Sequence, residues 1–267
     1  NISHQSEELV VTIDLTAPAA TVPSLAATSD SGLAGDKLTS ISQPAIVGTA
    51  EANAKVRIFA KKGSDAPVLI GETFANSDES DGLPSDGLGL WEITVEPLAD
   101  GVYAITTEVE DLAGNISAPL GMPLVITIDT VSPQRPTMDL VAPHDTGASN
   151  LDNVTRLATV SFTVTADVDT IVRIKDGNTV LMAYPSTGAD IVWLTLAAGT
   201  HLVSAESIDA AGNISHQSEE LVVTIDLTAP AATVPSLAAT SDTGLAGDRL
   251  TSISQPAFVG TAEANAK

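Results

Sequence analysis

The feature that most constrains this chain is an internal repeat. Residues 1–55 recur as 213–267 with only three differences, Ser31/Thr243, Lys37/Arg249 and Ile46/Phe258. Near-identity held at a fixed offset is the mark of a tandem array, in which each unit is a self-contained piece of fold. A shorter element recurs inside that period. Residues 111–133 read DLAGNISAPLGMPLVITIDTVSP and residues 209–230 read DAAGNISHQSEELVVTIDLTAP, and the tail of the second opens the chain as NISHQSEELVVTIDLTAP. Each copy is a turn, a strand, an acidic joint and a proline. Gly114-Asn115 and Gly212-Asn213 suit a hairpin turn because both residue types accept positive φ. The β-branched runs Leu124–Ile128 and Leu221–Ile225 suit strands, and Pro133 and Pro230 bar their continuation. Units therefore end at Asp14, Asp129 and Asp226, which lie 115 and 97 residues apart. Each interval fits one all-β domain of roughly 100 residues. The expected division is the last strand of a preceding repeat (1–14), two whole domains (15–129 and 130–226) and the opening of a further repeat (227–267).

Within the first whole unit, strands are expected at 21–27, 45–49, 56–60, 68–74, 90–95, 102–109 and 124–128. In the strand beginning at Val102, Tyr103, Ile105, Thr107 and Val109 alternate with Thr106, Glu108 and Glu110, the period of a sheet with one buried face. The second unit repeats the plan at 137–141, 159–165, 170–175, 179–183, 191–196, 201–208 and 221–225, with Asp176-Gly177-Asn178 as a hairpin signal. About seven short strands per unit, turns at regular spacing and no helical period define tandem immunoglobulin-like antiparallel β-sandwiches.

Charge and composition exclude several function classes. Thirty-four acidic residues against 11 basic give a net charge of −23, the wrong sign for a nucleic-acid phosphate surface. Such a chain suits an extracellular setting or the gathering of cations. With zero cysteines there are neither disulfide staples nor thiolate metal sites. No apolar run approaches the ~20 residues of a membrane span, and no signal segment is visible, so no membrane insertion of these residues is expected.

The loop pattern D-[ST]-G, a spacer and a second aspartate, followed in order by the D-x-A-G-N hairpin and the I-D-x-x-x-P joint, resembles the bacterial Ig-like repeats of giant calcium-dependent (RTX-type) adhesins of Gram-negative bacteria. The similarity runs the length of the chain, and its specificity lies in the fixed order of short motifs. It implies an extender that carries a distal binding domain away from the cell surface for adhesion or biofilm formation. It also implies calcium at the joints, adjacent repeats of the same chain as partners, and a monomeric rod.

The joint aspartates can be weighed on their own chemistry. The middle joint is expected to gather Asp111, Asn115, Asp129, Asp145 and Asp152. The following joint offers Asp209, Asn213, Asp226, Asp242 and Asp248, and the first retains Asp14, Asp30 and Asp36. Ca²⁺ takes six to eight hard oxygen ligands, and carboxylates packed without a cation repel one another. Any one of these residues is also explained by ordinary turn chemistry, since Asp caps backbone N–H groups. Repetition of the set at three joints favours Ca²⁺. The spacer from Asp145 to Asp152 is one residue longer than those from Asp30 to Asp36 and Asp242 to Asp248, so the middle joint is expected to bind differently or more weakly.

Other residues carry less. Asp78, Glu79, Asp81 and Asp86 form an acidic loop, read as solvated rather than as a second cation site. Trp91 and Trp193 fall in strands and are expected in the cores. Tyr103 resembles a tyrosine-corner position, a feature its counterpart His201 is not expected to share. The four histidines are scattered without zinc spacing, and N-x-[ST] sequons such as those at Asn1, Asn115 and Asn153 are given no weight. No nucleophile–base pair, phosphate loop or acid/base pair is legible, so no enzyme is expected. The competing reading is a glycan- or protein-binding module using the 76–89 loop, and an exposed aromatic platform would favour it.

Overall fold

The computed structural model describes residues 7–18, 21–77, 87–118, 122–231 and 233–263. In the first repeat the strands are β1 (Ser24–Leu25), β2 (Leu38–Thr39), β3 (Ala45–Glu51), β4 (Lys55–Lys62), β5 (Val68–Phe74), β6 (Leu88–Thr94), β7 (Gly101–Glu110) and β8 (Leu124–Ile128). They form a three-stranded sheet, β1-β3-β6, and a five-stranded sheet, β2-β8-β7-β4-β5. The second repeat uses β9 (Thr137–Leu140), β10 (Val154–Thr155), β11 (Thr159–Thr165), β12 (Ile171–Asp176), β13 (Thr179–Pro185), β14 (Ala189–Thr195), β15 (Gly199–Ile208) and β16 (Leu221–Ile225). These give the sheets β14-β11-β9 and β10-β16-β15-β12-β13. One 3₁₀ turn, Ala142–His144, is the sole helical element among the described residues. The chain is all-β, with tandem immunoglobulin-like sandwiches.

Alternation builds each core. Tyr103, Ile105, Thr107 and Val109 of β7 point inward and meet Ile46 and Ile93 from the facing sheet, with Val56, Ile58 and Ile126 beside them. In the second repeat Val160, Phe162, Val172, Ile174, Val203 and Ile225 play the same part. The acidic side chains on the outer face are offset by cations: Arg57 lies between Glu108 and Glu110, and Lys175 lies against Glu206.

Two pairings were not legible in the sequence. β2 runs parallel to β8, with Leu38 opposite Thr127, and β10 runs parallel to β16, with Val154 opposite Thr224. A two-residue strand leaves no periodicity to detect. The strand expected over 21–27 shrinks to Ser24–Leu25, because Pro23 lacks a ladder N–H.

The tryptophans part company. Trp91 is 3% exposed and lies opposite Gly48, where an added Cβ would fall 2.5 Å from the indole. At the matching place in the second repeat Phe162 faces Val192, so the large ring comes from the other strand. Trp193 is one residue further along and points outward at 55% exposure, which corrects the expectation that both tryptophans are core. In the run Ile191-Val192-Trp193-Leu194, every residue is apolar and the inward phase is ambiguous. The corner expectation is corrected too. Tyr103 donates its hydroxyl to the Ala99 carbonyl at 2.7 Å, and His201 reproduces the bond from Nε2 to the Ala197 carbonyl at 3.0 Å.

Outside the two sandwiches, residues 7–18 join no ladder. The opening of the next repeat already pairs as the first one does. β17 (Ser236–Leu237) and β18 (Phe258–Val259) match Leu237 with Phe258, as β1 and β3 match Leu25 with Ile46. The acidic loop residues Asp78, Glu79, Asp81 and Asp86 lie outside the described residues.

Candidate cation and docking site at the repeat joints

The parallel pairs fix which loop meets which joint. The Thr127 N–H donates to the Lys37 carbonyl and the Asp129 N–H to the Thr39 carbonyl, each at 2.9 Å. The loop carrying Asp30 and Asp36 is thereby drawn to the C-terminal end of β8, beside Asp129. In the second repeat the Asp226 N–H donates to the Thr155 carbonyl at 2.8 Å, placing the Asp145–Asp152 loop beside Asp226.

The hairpins lie at the opposite poles. β7 and β8 are antiparallel, so the 111–115 turn that follows β7 sits near the start of β8, a strand's length from Asp129. The expected middle set of Asp111, Asn115, Asp129, Asp145 and Asp152 is therefore corrected. Asn115 donates from Nδ2 to the Asp14 carbonyl at 3.2 Å, and Asn213 donates from Nδ2 to the Asp129 carbonyl at 2.8 Å. The middle joint instead gathers Asp30, Asp36 and Asp129 of the first repeat with Asp209 and Asn213 of the second. Asp145 and Asp152 belong with Asp226, and Asp111 and Asn115 with Asp14.

The hairpin aspartates are occupied within their own turns. Asp111 accepts the N–H groups of Ala113 and Asn115 on Oδ1, each at 2.8 Å, and the Asn115 side-chain amide on Oδ2 at 2.8 Å. The Asn115 amide, followed by these N–H groups, holds its carboxyl below the usual range against the opposing effect of burial. Asp209 accepts from Asn213 in the same way. The joint aspartates cap the residue two positions on: Asp14 takes the Thr16 N–H, Asp129 that of Val131, and Asp226 that of Thr228.

The loop aspartates differ from all of these. Asp30 accepts the Gly35 N–H on Oδ2 at 2.5 Å, Asp242 that of Gly247 at 2.7 Å, and Asp145 that of Asn153 at 3.1 Å. Their Oδ1 atoms are buried and have no hydrogen-bond partner in all three loops. Asp145 is 8% exposed. Its neighbour Asp152 takes the Val154 and Ser149 N–H groups, and these bonds, that of Val154 first, hold it below the usual carboxylate range against the opposing effect of burial. Asp36 and Asp248 each accept an N–H two residues ahead, from Leu38 and Leu250. Among the described residues no three acidic or histidine side chains converge into a complete cage. A hard cation at such a loop would have to be held by one or two carboxylates and completed by carbonyls and water.

Sequence reasoning missed the direct contact at the middle joint. Ser31 donates from Oγ to the Ala211 carbonyl at 2.6 Å. A Cβ at Gly32 would lie 2.1 Å from the Ala210 oxygen, and one at Gly212 would lie 2.8 Å from the Gly32 nitrogen. Two glycines at positive φ thus let the backbones of the two repeats touch. The signal in the sequence is the glycine of the D-[ST]-G pattern.

The fold and the joints define a tandem array of β-sandwich modules docked loop to hairpin. The profile of the bacterial Ig-like domain family matches residues 16–130 and 132–227, and the chain belongs to that family. Among curated proteins none is significantly similar. Among solved structures it is similar to the fibronectin(III)-like modules of Clostridium thermocellum CbhA, with 16% identity, 76% of this chain and 94% of that one covered, and a TM-score of 0.43. Dimeric latent PorU from Porphyromonas gingivalis follows at 12% identity, 79% and 20% coverage and 0.28. The receptor tyrosine kinase Torso follows at 11%, 73% and 77%, and 0.23. These likenesses carry no functional argument. No helix among the described residues is long and apolar enough to cross a membrane.

Proposed function

We propose that this chain is a non-catalytic extender segment of a bacterial cell-surface adhesin, with Ca²⁺ held at its joints to stiffen the array. The observation that carries the reading is the buried, unpartnered Oδ1 of Asp30, Asp145 and Asp242, which recurs at one loop position in three repeats. A carboxyl oxygen left dry and unpaired is costly, and a bound cation removes that cost. Asp30 would hold the ion near Asp129, Asp145 and Asp152 near Asp226, and Asp242 at the joint after the third repeat. The hairpin residues Asp111, Asn115, Asp209 and Asn213 would keep the docking turn in shape rather than supply the charge. Such a segment acts outside the cell, projects a distal binding domain for adhesion or biofilm formation, and has the neighbouring repeats as its partners. Calorimetric titration of the full chain with Ca²⁺ tests it. Binding should weaken on Asp30→Asn or Asp145→Asn and persist on Asp100→Asn, whose carboxylate is engaged by Thr130. No heat of binding in the unaltered chain would refute the cation.

A second reading, a glycan-binding module, is favoured by one observation. Trp193 stands on the outer face of β14, with the His144 ring edge-on at 4.9 Å. The His144 Nδ1 accepts the Ser161 N–H at 2.9 Å, which holds that ring in place. Stacking aromatics of this kind suit sugar faces. The first repeat has Glu92 at this register position and serves as an internal control. A glycan screen in which Trp193→Ala abolishes every hit would support it.

A further inference from the structure

The second sandwich places two rings where the first has Glu92 and Ser29. Trp193 stands on the outer face of β14 and belongs to neither core. Its register partner is Ser161, whose backbone nitrogen and hydroxyl both lie 2.9 Å from His144 Nδ1. At the same loop position, just before the aspartate, the other repeats carry Ser29 and Ser241. There a serine hydroxyl accepts the strand N–H, from Ala45 at 2.8 Å and from Ala257 at 2.9 Å. Pinning this loop to the sheet therefore takes only a hydroxyl. The imidazole adds a ring beside the indole and a second nitrogen. Because Nδ1 accepts the Ser161 N–H, the ring proton sits on Nε2, and that N–H has no partner among the described residues.

The face around the rings bears hydroxyls and almost no charge. On one side of Trp193, Thr195 lies opposite Thr159, with their hydroxyls 3.0 Å apart. On the other side Ile191 lies opposite Thr163, and Asp139 follows Thr163 on the next strand. These side chains are exposed. β9, β11 and β14 contain no lysine or arginine, and Asp139 is their one outward carboxylate. It stands two strand spacings from Trp193, about 10 Å across the sheet.

An indole face with a fixed N–H beside it and hydroxyls around it matches a pyranose, which offers C–H groups on its face and hydroxyls at its rim. Charge then selects among sugars. The chain carries a net charge of −23 and this face has no cation to offset it, so uronate or sulfated sugars would be repelled. A protein partner would meet two apolar side chains, Trp193 and Ile191, set among hydroxyls, and not the desolvated core of an interface. Resting on the glycan reading of Trp193, we propose that the outer face of β14, β11 and β9 takes a neutral, extended β-linked polysaccharide. One sugar ring stacks on Trp193, His144 Nε2–H donates to a neighbouring sugar oxygen, and Asp139 accepts a hydroxyl further along the chain.

The chain has two tryptophans, one buried and one outward, so their indole N–H signals supply a control and a reporter in one nitrogen–proton spectrum. The full chain is titrated with neutral β-1,4-linked hexasaccharides of glucose, mannose and xylose, and with the acidic hexamer of galacturonate. At least one neutral hexamer should move the Trp193 signal saturably while Trp91 stays, and galacturonate should move neither. His144→Ser keeps the loop-pinning hydroxyl of the other repeats and should weaken the affinity about fivefold, as loss of one hydrogen bond does. Unchanged affinity in that variant would overturn the histidine donor. Movement with galacturonate alone would leave the glycan reading standing and overturn the neutral class, whereas no movement with any of the four would overturn both. A Trp193 shift that follows protein concentration without sugar would assign the face to contact between copies and overturn the proposal.

Discussion

Asn213 donates from its side-chain amide to the Asp129 carbonyl at 2.8 Å and to Asp209 Oδ2 at 2.9 Å. One side chain thus ties the hairpin of the second repeat to the last residue of the first. Asn213→Ala removes both bonds and should cost about 1–2 kcal/mol, at roughly 1 kcal/mol per bond. Denaturant unfolding of the second repeat, compared with Asn115→Ala in the first, measures it.

Gly32 and Gly244 occupy the same loop in two copies, one docked and one open. Their φ angles are 75° and 86°, and a Cβ on Gly244 meets nothing within 4 Å. Gly244→Ala should show only the strain of positive φ, about 1 kcal/mol. Gly32→Ala adds a clash with the Ala210 carbonyl and should widen the angle distribution between the two sandwiches. Residual dipolar couplings for each repeat report that spread.

The two tryptophans should separate cleanly in stability. Trp91→Ala empties a buried site and should cost about 3–5 kcal/mol. Trp193→Ala removes an outward ring and should cost under about 1 kcal/mol. Both are read from chemical denaturation of the full chain, with the second-repeat transition followed separately.

His201 gives the second repeat a pH dependence. Asp176 accepts its Nδ1 proton at 2.7 Å, and this bond, with Ala197 at the other nitrogen, raises the histidine pKa. The same contact lowers that of Asp176. A raised histidine pKa contributes stability that is present in full below the unfolded value, about 6.5, and is lost as pH rises through the folded value. The aspartate contribution is lost at the other end, as pH falls below about 3.9 through its lowered value. His201→Tyr restores the corner hydroxyl found at Tyr103 and should abolish the loss on the alkaline side. Thermal unfolding from pH 5 to 9 tests this.

Much of the fold was legible in the sequence, because β7 alternates and the Gly-Asn turns recur at fixed offsets. The joint was legible in its residues but not in its grouping. Hairpin-linked strands run antiparallel, which sends Asp111 and Asp129 to opposite poles. β2 and β10 are too short to carry a pattern, yet they decide that Asp30 and Asp145 lie beside the acidic joints. The outward turn of Trp193 was hidden by the apolar residues on both sides of it.

Asp145→Asn should change sign with the metal. In chelator the amide replaces a carboxyl whose buried Oδ1 has no partner, so stability should hold or rise by about 1 kcal/mol. In calcium it loses the binding contribution, about 2.7 kcal/mol at a hundredfold excess over Kd. Thermal melts under both conditions show the crossing, and a loss of equal size in both would assign Asp145 a purely structural part.

Small-angle scattering of the full chain in calcium and in chelator tests the stiffened array most directly. Small interfaces normally leave domains free to move, and a cation bound beside the Gly32–Gly212 contact would remove that freedom. The expected result is a narrower distribution of interdomain angles in calcium, with each sandwich unchanged, and a return to the broad distribution in Asp30→Asn. Superimposable profiles, with no metal found in the purified protein, would contradict it.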